Sequence, residues 1–563
     1  MAAASLLFSG CGGGGGAGAG SVLPAAGPLA TTAPSTTSVT LNIPADPNGG
    51  MIAGISDALI VGGINSNVAP VSITVGLNST ATTASVGHHR GPSTTRSSSA
   101  TLRMTQVAAT TQVWQDGPSN SDMLRAVLAT LQRSETSATS GARRSVQSLP
   151  TAVGSQTQIW VQNFVPGVAG TTFEQVPATL AIQTAHASVW VQNSLDLLTN
   201  TSALSTIASN IENAMASDNA HFGTSTWDGS AASLSKQYGT CDANGNRNGG
   251  SSPEFIVPTD PHVNFVYVDP SEISVGGYMD ADSLLPEDVI RCTQANNGTY
   301  HSNESPTIVL AYYGDSRGMN YVLDEDSIVH PAHEYQHLIN IVHHAILQST
   351  PAYEDALLNE GLSMMAQDFA IAAATSGVEP LDGENLYRSS AYLAATQNYS
   401  VAGFAGLQSP GNTLFNCSIC YGPAWLFERY LYDRFGGDAY VHAMEAGSST
   451  SWGELGSVTG ANPQQLLHDF ALAVGSSNTP AAVAPYQFAS LNLHATYTDQ
   501  LGNVYALTGP APLASLTSGS SQSYNVLLGA YVYFALPGSA SSASASLNEA
   551  ASSFDLNGAV IAY

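Results

Sequence analysis

The chain is poor in positive charge. Its 563 residues include 14 lysines and arginines against 41 acidic residues, Lys236 is the single lysine, and the net charge is −27. DNA, RNA and anionic membrane surfaces would repel such a chain, which excludes them as partners held by charge. Charged residues of either sign make up only 10% of the sequence. Outside the N-terminus no apolar run is long enough to span a bilayer. Cysteine is also scarce, with five residues in all. What is present is an ordinary 43% of apolar residues over a length too great for one core, so two to four domains are expected.

The N-terminus reads MAAASLLFSGCGGGGGAGAG. A short apolar segment, a small residue, Cys11 and a glycine tether resemble the end of a bacterial lipoprotein signal. The resemblance implies a lipid on Cys11 and an exported, cell-envelope or secreted protein, with membrane contact only through that lipid. Phe8 stands where an aliphatic residue is usual, and no lysine or arginine precedes Arg90, as if the start of the signal were truncated. Setting Cys11 aside leaves Cys241, Cys292, Cys417 and Cys420, an even number that suggests two disulfides with three pairings open. For CSIC at 417–420 a local disulfide is favoured over half of a metal knuckle, since no second Cys or His pair of matching spacing follows.

Composition divides the chain into a partial signal (1–10), a Gly/Ala/Pro/Ser/Thr tether (11–37) and a β-rich N-terminal region with a Ser/Thr-rich segment (38–156). A central domain (157–480) and a C-terminal β-rich module (481–563) follow. SVTLNI and VSITVGL read as strands, and SDMLRAVLATLQR as a helix capped by Ser121 or Asp122. QIWVQN and SVWVQN are strand echoes whose Trp160 and Trp190 are read as packing residues. TSALSTIASNIENAMASDNAHFG repeats apolar residues at helical spacing, and HVNFVYVDP and PTIVLAYYG read as buried strands. PAYEDALLNEGLSMMAQDFAIAAA and PAWLFERYLYDRFGG predict helices with proline near their starts, the second stopped by Gly436 and Gly437.

Five histidines crowd into SIVHPAHEYQHLINIVHHAILQ, residues 327–348. Within it, His333-Glu334-Tyr335-Gln336-His337 fits HExxH. On a helix, residues four apart differ by about 40° and about 6 Å, so both imidazoles project from one face and can share a zinc ion. Leu338, Ile341 or Val342, and Ala345 supply a core stripe, and Pro331 is tolerated in a first turn. A third ligand is needed beside one open position. His343 would require the chain to leave the helix near Asn340. His344 on a continuous helix lies about 10 Å further along the axis than His337. Both are therefore read as ordinary polar helix positions. Glu360, 23 residues after His337 in LNEGLSMMAQD, is the favoured third ligand.

AHEYQHLIN followed by LNEGLSMMAQD resembles the hyicolysin-type neutral metallopeptidases of the wider gluzincin group, the resemblance extending over about 157–475. It implies an α+β, zincin-like domain, with a small sheet, an active-site helix and a helical lower half, flanked by β-rich modules. Zinc would be held by His333, His337 and Glu360, and Glu334 would be the catalytic base. Many gluzincins place Asp four residues after the ligand Glu to orient a ligand histidine. Met364 stands there, Ser363 is kept at the preceding position, and Asp368 is the nearest acidic substitute.

The expected activity is extracytoplasmic endopeptidase cleavage of proteins or peptides by a monomer. Zinc would lower the pKa of attacking water to about 7, and Glu334 would accept its proton. Tyr421 is the first candidate to stabilise the oxyanion, with Tyr399 and His442 behind it. Structural calcium accompanies some such enzymes. CDANGNRNGG at 241–250 lacks both the tight-turn glycine (Arg247 replaces it) and a twelfth-position glutamate, so no calcium site is located. The competing readings are an adhesin with an inactive peptidase domain and a zinc aminopeptidase.

Overall fold

The computed structural model describes residues 35–42, 50–58, 71–78, 103–105, 149–163, 172–227, 237–241, 247–253, 255–287, 290, 301–348, 354–375, 381–401, 405–406, 418–447, 451–477, 482–517, 521–526, 530–536, 542–549 and 554–562. The segment around Cys11, the helix expected at 121–133, and residues 242–246 of the polar loop lie outside them. The fold is mixed α and β, as expected.

Its centre is a six-stranded sheet. The strands are β1 (Gln156–Asn163), β2 (Thr172–Gln183), β3 (Ala187–Gln192), β4 (Val263–Val268), β5 (Gly277–Met279) and β6 (Thr307–Ala311). They lie in the order β5-β6-β4-β3-β2-β1. The inner strands β3, β4 and β6 run parallel and are buried along their whole length. Continuous apolar runs such as VNFVYV suit strands covered on both faces. β5 closes one side antiparallel to β6. Trp190 is fully buried and donates Nε1–H to Asn264 Oδ1 at 2.9 Å, a packing role.

Helices α1 (Thr201–His221) and α2 (His330–Ile341) lie against the sheet, and α3 (Ala356–Thr375), α4 (Gly383–Ala394), α5 (Tyr421–Phe435), α6 (Asp438–Ala446), α7 (Ser451–Thr459) and α8 (Pro463–Ser476) build outward from them. Asn200 caps α1 by accepting from Ala203 N, and Asp382 caps α4 by accepting from Asn385 N. Gly436 ends α5 at φ +99°, a left-handed position that glycine adopts without strain. Pro331 and Pro423 sit in the first turns of α2 and α5, where a missing N–H costs nothing.

The start of α2 is tied to the sheet. Tyr267 of β4 donates its hydroxyl to Asp326 O at 2.6 Å, and Tyr313 N donates to Asp326 Oδ2 at 3.1 Å. Beyond Ile341 the backbone continues in one wider turn through Val342–Ile346, so the helix does not break at Asn340.

Strands from the two flanks join one another. Ser35–Asn42 and Val71–Asn78 share a sheet with Ser521–Val526 and Ser542–Glu549, while Gly50–Ala58 lies between Tyr531–Leu536 and Phe554–Ala562 in another. The β-rich N-terminal region and the C-terminal module thus contribute to common sheets. Cys420 is disulfide-bonded. Among the described residues no helix is long and apolar enough to cross a membrane.

Candidate metal centre

Helix α2 is amphipathic in an unusual sense, since nearly all of its residues are buried, polar ones included. Its apolar members Ala332, Leu338 and Ile339 enter the core. Tyr335 reaches α1, donating its hydroxyl to Asn219 Oδ1 at 3.0 Å and accepting from Ser225 Oγ at 2.9 Å. Held on this side, α2 presents His333 and His337 toward α3. Their ring centroids are 4.8 Å apart and their planes nearly perpendicular.

Helix α3 supplies the third group. Gly361 lets α3 press close to α5: a Cβ there would stand 2.4 Å from Glu428 Cγ and 2.8 Å from Ala424 O. The neighbouring Glu360 is 1% exposed. Its Oε2 lies 3.2 Å from His333 Nε2 and 3.5 Å from His337 Nε2. Donor atoms bound tetrahedrally to one zinc ion at 2.0–2.1 Å are separated by about 3.3–3.4 Å, so these spacings match the edges of such a site. Neither nitrogen of the buried His333 meets hydrogen-bond geometry with a described residue. The three residues therefore fit a divalent cation, and they form one of three His/carboxylate groups able to hold one. The other two groups are Glu325, His330 and Glu384, and His344, Glu354 and Glu454.

Electrostatics couple the first group tightly. Burial raises the pKa of Glu360, but His337 and His333 outweigh it and hold the carboxyl at about 2. Burial likewise lowers His337, while the Glu360 charge overcomes it and lifts the ring to about 9. The His337 side chain keeps 13% of its surface exposed against 1–2% for His333 and Glu360, so access to the group is from the His337 side.

Glu334 is 3% exposed and faces β5; its Cγ lies 3.5 Å from where a Cβ on Gly277 would be. Tyr421, at the first position of α5, is 5% exposed, and its ring centroid lies 6.3 Å from that of His333. The Arg388 guanidinium stands over the Tyr421 ring at 4.7 Å. Tyr399 packs edge-on to Tyr392, and His442 belongs to a charge group with Asp438 and His343. Of the three oxyanion candidates, Tyr421 has the ring contact with the ligand group.

Two expectations are corrected. Asp368 does not orient a ligand histidine: it accepts from Trp425 Nε1 at 2.7 Å, Asp382 N at 3.1 Å and Asn385 Nδ2 at 3.2 Å, beside Arg429. It points along α3 toward α4 and α5 because it lies two helical turns beyond Glu360. Asn359 and Ser363 take the orienting position instead, with Asn359 Oδ1 at 3.1 Å and Ser363 Oγ at 3.0 Å from His337 Nδ1. Asn359 stands in the LNEGLSMMAQD stretch beside Glu360, but sequence reasoning assigned it no role.

His344 is also not an ordinary polar position. It is 1% exposed and packed among carboxylates, because the wider turn after Ile341 turns it toward α6 and α7. His343, by contrast, lies at Thr224 O, 3.0 Å away, and joins no ligand group among the described residues.

No protein-family model matches the chain, and no curated protein matches it in sequence.

Proposed function

We propose that this chain is a zinc-dependent endopeptidase of the gluzincin type, with a zincin-like central domain and an exported location. The observation that carries the reading is the convergence of His333, His337 and Glu360 at spacings that suit one tetrahedral ion, with Glu334 near enough for its charge to act on His337. A zinc ion so held supplies Lewis-acid chemistry, acidifying water and polarising a carbonyl.

The chain's own residues do the rest. Glu334 is the base: its carboxylate accepts the proton of attacking water and returns it to the leaving amine. Asn359 and Ser363 hold His337 with its Nε2 turned toward Glu360. Tyr421 provides a hydroxyl for the developing oxyanion, its ring held by Arg388. β5, next to Glu334, has no further strand on its outer edge among the described residues, so an extended peptide can add there through backbone hydrogen bonds.

The test is Glu334→Gln with an internally quenched peptide blocked at both ends. The variant should retain its metal and lose turnover by several orders of magnitude. Turnover close to the wild type would reject the assigned base. An uncut blocked peptide with the wild-type chain would favour an aminopeptidase or a binding protein.

A further inference from the structure

A second cluster of ligating side chains lies further along the same helix, on the side of α6 and α7. His344 stands between two carboxylates, with Nδ1 3.6 Å from Glu454 Oε2 and Nε2 3.9 Å from Glu445 Oε2. Glu354 completes the set, and one donor atom from each of His344, Glu354 and Glu454 lies within 4.8 Å of the others. All four residues are 2% exposed or less.

Three buried carboxylates around one imidazole are costly without a counter-charge. Among the described residues neither Glu445 nor Glu454 is paired with lysine or arginine. Both carboxylate oxygens of Glu454 are buried without a hydrogen-bond donor, and Oε2 faces the imidazole. The backbone makes room for this arrangement. A Cβ on Gly447 would fall 1.1 Å from Glu454 Oε1, so the carboxylate occupies space that only glycine leaves. Glu445, facing the other ring nitrogen, accepts from Gln336 Nε2 at 2.6 Å and Asn340 Nδ2 at 3.4 Å.

We propose that His344, Glu354 and Glu454 bind a second divalent transition-metal ion, with the Glu445 carboxylate facing the other nitrogen of the His344 ring. One imidazole with carboxylates is a donor set for borderline ions such as Zn²⁺, and an acceptor on the far ring nitrogen is the usual support of a metal-bound histidine.

The second ion would be structural and not isolated from the first site. Gln336 bonds both Glu445 and Ser363, and Ser363 touches His337, so one buried chain of side chains joins the two groups. The ion would also tie α6 and α7 to the turn that follows the HExxH helix.

The test is metal counting on full-length protein, stripped with a chelator, reloaded with Zn²⁺ and freed of excess ion. The wild type should hold two ions per chain, and Glu454→Gln one. His333→Ala/His337→Ala should also hold one, and its Tm should still rise on adding Zn²⁺. Combining all three substitutions should leave none and abolish that rise. A wild type with one ion that Glu454→Gln retains would overturn the second site and leave the peptidase reading intact. Two ions in the wild type, with His333→Ala/His337→Ala keeping both, would instead overturn the peptidase site alone. If Glu454→Gln does not fold, His333→Ala/His337→Ala decides together with Glu354→Gln: an ion kept by the first pair and lost on adding Glu354→Gln supports the site, and its retention overturns it.

Discussion

Replacing Asn359 by leucine removes an acceptor from His337 while keeping a side chain of similar size on α3. The imidazole Nδ1 has two neighbours, Asn359 Oδ1 at 3.1 Å and Ser363 Oγ at 3.0 Å. Ser363 has a single proton, which is directed to Gln336 Oε1 or Asn359 O, so its lone pairs remain available to His337. Loss of a supporting partner of a metal-bound histidine weakens metal affinity by about 10–100-fold, or about 1.4–2.7 kcal/mol. Because Ser363 remains, the single variant belongs at the lower end, about tenfold, and Asn359→Leu/Ser363→Ala at about 100-fold. Competition for Zn²⁺ against a chromophoric chelator measures both. An Asn359→Leu affinity within about twofold of the wild type, with the fold intact, would refute the orienting role.

Gly361→Ala forces a Cβ against Glu428 and the α5 backbone, so a loss of about 1–3 kcal/mol is expected, together with weaker Zn²⁺ binding as α3 is pushed away; thermal unfolding and the chelator assay read the two effects. Glu428 gives a pH dependence. Burial lifts it to about 8 despite the hydroxyl that Tyr440 donates at 2.9 Å, whereas in the unfolded chain it titrates near 4.5. Between those values the folded state binds the extra proton, so this residue's contribution to stability falls as pH rises from about 4.5 to 8. Glu428→Gln should reduce the slope by on the order of one kcal/mol per pH unit, or a few kcal/mol in total between pH 5 and pH 8 in urea titrations; an unchanged slope would refute it.

Much of the candidate site could be read before the fold was known. HExxH declares itself through four-residue spacing within an apolar helical pattern, and Glu360 through a glutamate at a helix start within a short connection. Those are local signals. The partners of His337 were not legible, because which α3 side chain meets the ring depends on the rotation of α3 against α2, set by the close approach at Gly361. Asp368 was the natural choice by charge, and the packing of α3 on α4 and α5 spends it on Trp425 and Asn385. His344 was misread for a similar reason: a regular helix leaves it about 10 Å beyond His337 with no ligand partner, and the wide turn at Val342–Ile346 buries it among other carboxylates. Individual strands at 38–77 and after Gln487 were visible as alternation, but nothing local says that they pair with one another.

That pairing has a consequence for how the molecule is made. Ile52 lies opposite Val560, and Ser35 opposite Glu549, so strands synthesised first wait for those synthesised last. Contacts between such remote positions form slowly. The central body can collapse while the chain is still emerging, whereas its flanking sheets stay open until the final residues arrive. Clipping either end would strand the other, leaving raw strand edges ready to seek company in a neighbouring molecule.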